Sequence, residues 1–263
     1  MTKLTVLMYH AITDSGGECS GADPHYAVTR STFRTHLALV RDSGFLVSSV
    51  AGILASDVEG GKVAFTFDDG HESNAAAAAD IVEHGGSADF FVNPATVGQR
   101  NYLDWQALGD LADQGISIQS HGDTHRYFDS LSEAEIEQEL HVSKAQIEGK
   151  LARPVTLFAP PGGRMNVAVA TIAKRLGYHG ICSSRAGLWR VEASAWQIPR
   201  FAVLSSTGEG QFHRWIDQDN WEISRVMVRD RMLAGAKYLL GNRRYEQLRA
   251  RILGSSHEVG TTP

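Results

Sequence analysis

The sequence predicts an α/β protein built on a parallel sheet, and three observations carry that expectation. Short apolar, β-prone runs alternate along the chain with longer runs of helical pattern. The polar clusters capable of chemistry fall directly after β-prone runs, where closed α/β barrels gather their active sites. The 263 residues, 43% of them apolar, can bury one barrel-sized core or two small ones.

In chain order, residues 4–9 read as a strand that delivers His10 to its C-terminal end. A Gly-, Ser- and Asp-rich loop follows. Thr29 or Ser31 can cap a helix carrying Phe33, Leu37, Leu39 and Val40 and closed by Gly44. Phe45–Val47 is short and extended, and Val50–Leu54 a helical turn. Val63 to Phe67 is a buried strand, and Ser73 and Asn74 can cap a helix to Glu83. Ala88–Val92 is the next strand, Trp105–Asp113 a helix stopped by Gly115, and Ile116–Ser120 a strand. Ser132-Glu133-Ala134-Glu135 has the pattern of a capping box and opens a helix to Gly149. Val155–Phe158 (strand), Asn166–Arg175 (helix), Tyr178–Ser183 (strand) and Ile198–Leu204 (strand) complete the alternation.

The composition narrows the function. A net charge of −5 supplies no basic field, so nucleic-acid binding is not expected. Cys19 and Cys182 make no disulfide framework. Leu4–Tyr9 is too short for a signal sequence and no run reaches membrane-spanning length, so the expected location is the cytoplasm. Residues 217–263 change character: arginines punctuate Val226, Met232, Leu239, Leu240, Leu248 and Leu253. This is a basic amphipathic helical tail with a disordered end, suited to packing on the outside of the domain or to peripheral membrane contact.

Two clusters carry the chemistry. Thr66-Phe67-Asp68-Asp69-Gly70 puts adjacent carboxylates where a strand ends. They repel, and a metal held by one keeps both charged. In Ser120-His121-Gly122-Asp123-Thr124-His125 the histidines stand four apart, a spacing that in a helical turn puts both imidazoles on one face. One Asp and two His form a three-ligand set that leaves positions open for water and substrate. Trp105 and Tyr127 are candidates for a ligand-binding face, although core packing is the commoner fate of aromatic rings.

These two clusters resemble the first two motifs of the NodB-homology polysaccharide deacetylases. Phe158-Ala159-Pro160-Pro161-Gly162-Gly163 is similar to a third, where that family has Arg-Pro-Pro, an aromatic and Gly; Val6–His10 resembles the first strand of one branch. The likeness spans roughly residues 1–205. It implies a distorted (β/α) barrel with fewer than eight parallel strands over residues 1–216. It also implies one divalent metal on Asp69, His121 and His125, with Asp68 as general base and the Gly162 N–H as oxyanion donor beside a loop stiffened by Pro161. Zinc is the expected ion, with cobalt, nickel, manganese or iron(II) as alternatives. The implied activity is hydrolysis of the N-acetyl amide of an amino sugar or glycan intermediate, lipid-linked sugars included. The alternatives are hydrolysis of a small cyclic amide and a glycan-binding pseudo-enzyme.

Three departures from the family pattern matter. Ala159 stands where the family has the Arg that steadies the base; Arg185 is the expected replacement and Arg164 the other candidate. No Asp of a fourth motif is visible near Ser183. Phe201–Ser206 contains no His where the final motif, Leu-x-Leu-His, supplies the general acid. His10, His71, His213 or a water are the candidates for that proton.

Overall fold

The computed structural model describes residues 2–14, 20–55 and 63–233. Cys19 and the tail after 233, with its expected disordered end, lie outside them. The chain opens with β1 (Lys3–Tyr9) and β2 (Ala11–Thr13), the latter paired in parallel with β3 (Ala27–Thr29) in a separate small sheet. Then come α1 (Arg30–Asp42), β4 (Val47–Ser48), α2 (Val50–Ala55), β5 (Val63–Phe67), α3 (Asn74–Glu83) and β6 (Asp89–Val92). They are followed by α4 (Trp105–Asp113), β7 (Ser117–Ser120), α5 (Glu133–Leu151), β8 (Leu157–Phe158), α6 (Ala168–Arg175) and β9 (Gly180–Ile181). β10 (Trp189–Arg190), β11 (Phe201–Ala202), α7 (Glu209–Ile216) and a helix over 220–233 finish the described chain.

The local reasons are those of the sequence. Thr29 caps α1 through its side chain, Asp104 caps α4, and Ser132 with Glu135 closes the capping box of α5. Ser73 departs from expectation: it sits in helical conformation and makes no cap. The Ser73 hydroxyl instead accepts the Ile12 N–H at 3.0 Å, tying β2 to α3. β2, β3, β10 and α7 were not legible as elements, because each is short or lacks a strong period.

The main sheet runs β10-β1-β5-β6-β7-β8-β9, with β11 also on β1 and β4 also on β5. Every pairing is parallel except β1 with β10. The sheet curls until its ends meet in a bridge between Cys182 and Ile198. There Ile198 N–H donates to Ile181 O and Ser183 N–H to Ile198 O, both at 2.8 Å. The architecture is the distorted α/β barrel the motifs imply.

Side chains alternate between two cores, as period-two strands require. Leu7, Tyr9, Phe65, Phe67, Phe90 and Phe158 pack outward under the helices. Val6, Ala64, Phe91, Leu157, Ala159 and Ile198 fill the interior. Strands buried on both faces read as unbroken apolar runs, which is why β1 and β5 were plain in the sequence. On β5 the interior series Ala64, Thr66 continues to Asp68, so strand phase alone aims that carboxylate inward.

The last described helix starts as part of the core. Ile223 is buried, Val226 and Met227 pack against the main cluster, and buried Glu222 pairs with Arg225 at 2.7 Å. Trp221, Val228 and Met232 are exposed. Among the described residues no helix is long and apolar enough to cross a membrane.

Candidate metal centre and active site

The site forms at the C-terminal ends of β1, β5, β7 and β8. Register brings Tyr9 level with Phe67, and Asp68 N–H donates to Tyr9 O at 2.9 Å. His10, Asp68 and Asp69 therefore emerge side by side. Asp69 takes a left-handed backbone (φ 76°), which breaks the strand phase and turns its carboxylate to the rim. Asp68 stays 3% exposed, inside the barrel.

His121 and His125 meet Asp69 differently from the helical-turn expectation. Residues 121–125 form a loop after β7, with Gly122 at φ 81° and His125 at φ 60°. A side chain at 122 would press on Phe128 at 3.1 Å, so glycine is required there for space as well as conformation. His121 is buried, and its Nδ1–H donates to Ala159 O at 2.8 Å. That bond fixes the ring and turns Nε2 towards Asp69. Both Nε2 atoms lie 3.2 Å from Asp69 Oδ1.

This donor set fits a divalent cation. Ligand atoms bound at about 2.1 Å to one ion lie about 3.0–3.4 Å apart, depending on geometry. The nitrogen-to-oxygen distances match, and all three donor atoms lie within 4.8 Å of one another. Two imidazoles and one carboxylate suit zinc and the neighbouring divalent transition metals.

Arg200, not Arg185, holds Asp68. Its Nη1 and Nη2 donate to Oδ1 and Oδ2 at 2.7 and 2.8 Å, while Nη1 reaches Thr66 Oγ1 at 3.1 Å and Nε reaches Ser183 O at 2.9 Å. The guanidinium is fully buried and makes the planar, bidentate pair that arginine favours. Arg185 is exposed; its backbone N–H donates to Ser183 Oγ at 3.4 Å and its carbonyl accepts the Arg200 N–H at 2.9 Å. The expectation failed because residue 185 follows the barrel's closing bridge on the outside, whereas 200 continues the interior phase of Ile198. A charge within the apolar run Ile198–Leu204 was the available signal. Arg164 lies over the Tyr127 ring at 3.9 Å.

The electrostatics follow. Burial acts to raise the Asp68 carboxyl, but Arg200 and His121 outweigh it and leave its pKa below the usual value. Burial opposes Asp69 too, yet hydrogen bonds from His121 and His125 hold it well below that range. His125 is raised by its bond to Asp69. Burial lowers His10, against the pull of Asp69 and Asp68.

Of the candidate proton donors, His10 lines a cavity with Asp69, Tyr26, His71 and Tyr102, and its buried Nδ1 has no hydrogen-bond partner. His71 shares that cavity but is engaged at both nitrogens, by Ser73 Oγ and Ser20 O. His213 lies on α7 and pairs with Asp217. Pro161–Gly163 forms a tight turn with Gly162 at φ 60°, where a Cβ would stand 3.0 Å from the Tyr127 ring. Turn bonds are made by Gly163 and Arg164 N–H, to Pro160 O and Pro161 O. Trp105 packs against the outer core, and Tyr26 and Tyr102, unmarked in the sequence, are the tyrosines lining the cavity with Asp69.

Known proteins resemble this chain in sequence and in fold. Residues 55–181 match the family model described as polysaccharide deacetylase. YxkH of Bacillus subtilis (strain 168), a polysaccharide deacetylase by name, is 24% identical over 221 residues, 82% of this chain and 76% of that protein. A Bacillus cereus peptidoglycan-N-acetylglucosamine deacetylase is 30% identical over 139 residues, 52% of this chain and 61% of its own. The Streptococcus pyogenes deacetylase PplD has the same fold, with a TM-score of 0.71 at 23% identity, covering 79% of this chain and 95% of PplD. Residues 55–181, just under half of the chain, are thus similar to the polysaccharide deacetylase family, and the chain shares the fold of a solved deacetylase.

Proposed function

We propose that this protein is a metal-dependent deacetylase that hydrolyses the N-acetyl amide of an amino sugar or glycan intermediate. The observation that carries the reading is the convergence of Asp69, His121 and His125 on one point, beside an Asp68 clamped by Arg200. A divalent cation bound there, zinc first among the candidates, supplies a Lewis acid that polarises a carbonyl and acidifies water.

The chain's own residues do the rest. Asp68 is ionised and fixed by two hydrogen bonds, so it can take the proton of the attacking water without reorienting. Gly162 N–H is the candidate donor to the oxyanion formed at the amide carbon. His10, in the cavity beside Asp69 with Nδ1 unpartnered, is placed to give a proton to the departing amine. Tyr102 and Tyr127 offer ring faces to a sugar.

The test is acetate release from N-acetylated amino-sugar oligomers by the protein with its metal content measured. Release that is abolished by chelation and restored by zinc is the expected result. Metal-loaded protein that frees no acetate from any N-acetyl amino sugar overturns the proposal.

Lipid-linked substrates and membrane contact form a second, finer reading. Trp221, 71% exposed, and Met232, 71% exposed, support it, since both are large apolar side chains turned to solvent on the last described helix. Co-sedimentation with anionic vesicles, beside a Trp221→Ala, Met232→Ala double variant, is the check. Equal, negligible binding of both removes this reading.

A further inference from the structure

We propose that Glu139 is a positioning residue for the metal centre: from α5 it holds the loop between the two histidines and so places His125. The inference rests on the metal reading above and extends it to a residue that touches none of the donors.

The loop from His121 to His125 is too short and too kinked to satisfy its own backbone. Its first half hangs from the sheet. His121 N–H donates to Val92 O at 2.9 Å, and Asn93 Nδ2 donates to His121 O at 2.7 Å and Gly122 O at 3.1 Å. The second half is held by Ala95 N–H, which donates to Asp123 O at 3.2 Å, and by Glu139. Glu139 Oε2 accepts the N–H groups of Asp123 and Thr124 at 2.8 and 2.9 Å, and Glu139 Oε1 accepts the Thr124 hydroxyl. Consecutive backbone N–H groups converging on one oxygen make an anion nest, and a carboxylate fills it.

Glu139 is 6% exposed, and among the described residues no Lys, Arg or His side chain forms an ion pair with it. A buried carboxylate without a cation partner is expensive unless its hydrogen bonds are made, so Glu139 and the loop hold each other in one arrangement. One turn further along α5, Ser143 Oγ meets Ser120 Oγ at 2.8 Å. The helix therefore docks on the strand and on the loop at once.

The two histidines depend on this unequally. His121 is buried at the end of β7 and oriented by Ala159 O. The His125 side chain is 43% exposed, and the described hydrogen bond of its ring goes to Asp69 itself. Its position comes from the backbone before it, which Glu139 sets. Loss of Glu139 thus acts chiefly through His125.

Zinc alone is the probe, titrated into the full-length apo-protein against a chromophoric chelator, with circular dichroism to follow the fold. Glu139→Ala is expected to weaken zinc binding by about 10–100-fold, the usual cost of losing a group that orients a ligand. Glu139→Gln can still accept both N–H bonds on its amide oxygen and keeps most of the affinity. In a His125→Ala background, Glu139→Ala adds little, because both changes remove one ligand's contribution. If Glu139→Ala does not fold, Glu139→Asp, one methylene short, is read by the same titration for the same loss. Undiminished affinity in the truncated variant, an equal loss in Glu139→Gln, or full additivity with His125→Ala each overturns the inference. Wild-type protein that takes up no zinc overturns the metal reading and this inference with it; wild-type binding with undisturbed variants overturns this inference alone.

Discussion

Asp68 and Asp69 are chemically identical neighbours that the fold separates by backbone. The first keeps strand phase and points into the barrel against Arg200; the second is turned to the rim by its positive φ. This division predicts different outcomes for like substitutions. Asp68→Asn should retain zinc and lose at least ~10²-fold in kcat, the scale of general-base assistance. Asp69→Asn should lose zinc. Measuring metal content and acetate release on both decides, and wild-type turnover by Asp68→Asn would refute the division. Arg200 yields a sharper contrast with Arg185. Arg200→Ala strands a buried carboxylate and should cost about 3–5 kcal/mol of stability. Arg200→Lys keeps the charge but not the fork, and should lower kcat by up to about 10²-fold, as misplacing a reacting group by an ångström does. Arg185→Ala should leave stability within about 0.5 kcal/mol of wild type. Denaturant melts and rates on the three variants read all of this.

At the scale of elements, α5 is the most completely specified and also the one that touches the site. Its capping box satisfies the first turn, and Ser132→Ala should cost about 1 kcal/mol. Its other end is strained: Ala152 stops the helix in left-handed conformation at φ 51°. Ala152→Gly should raise stability by up to about 1 kcal/mol, since glycine takes that conformation without the Cβ penalty. Urea midpoints measured on the two variants should move in opposite directions. The loops after β1, β5, β7 and β8 carry the candidate site residues, and hydrogen bonds to a neighbouring loop or strand help to pin each of them.

Over the whole molecule, two buried groups far apart in sequence give stability opposite pH slopes. Burial lowers the His36 imidazole to about 4; it stacks on Phe212, and its Nδ1 meets the Tyr9 hydroxyl. A histidine depressed in the fold binds its proton more readily when unfolded, so its contribution is lost as pH falls from 6.5 towards 4. Burial raises the Asp89 carboxyl to about 7, against hydrogen bonds that include those from the Val50 and Ala51 N–H groups. A raised carboxyl does the reverse: stability falls as pH climbs from the ordinary carboxylate value to about 7. The two slopes oppose each other over nearly the same window. Asp89→Asn should therefore gain stability relative to wild type between pH 4 and 7, by an amount on the order of 3–4 kcal/mol. Unfolding free energies at the two ends of the window test this; a difference that does not change with pH refutes it.

The sequence by itself determined the α/β class, nearly every long element, and which residues make up the candidate metal site. Those features are local: apolar runs at strand length, Ser132 three residues before Glu135, and paired acids or histidines after a β-prone run. The family likeness carried the barrel. Tertiary structure alone decided which arginine meets Asp68, because partners 132 residues apart are set by interior phase and barrel closure, not by nearness to a motif. It also decided that the histidines meet through a kinked loop rather than a helical turn. Glu139 shows the limit most clearly. In Glu133-Ala134-Glu135-Ile136-Glu137-Gln138-Glu139 it is one glutamate among several, and only packing against the loop after β7 buries that one and leaves Glu133 and Glu137 in solvent.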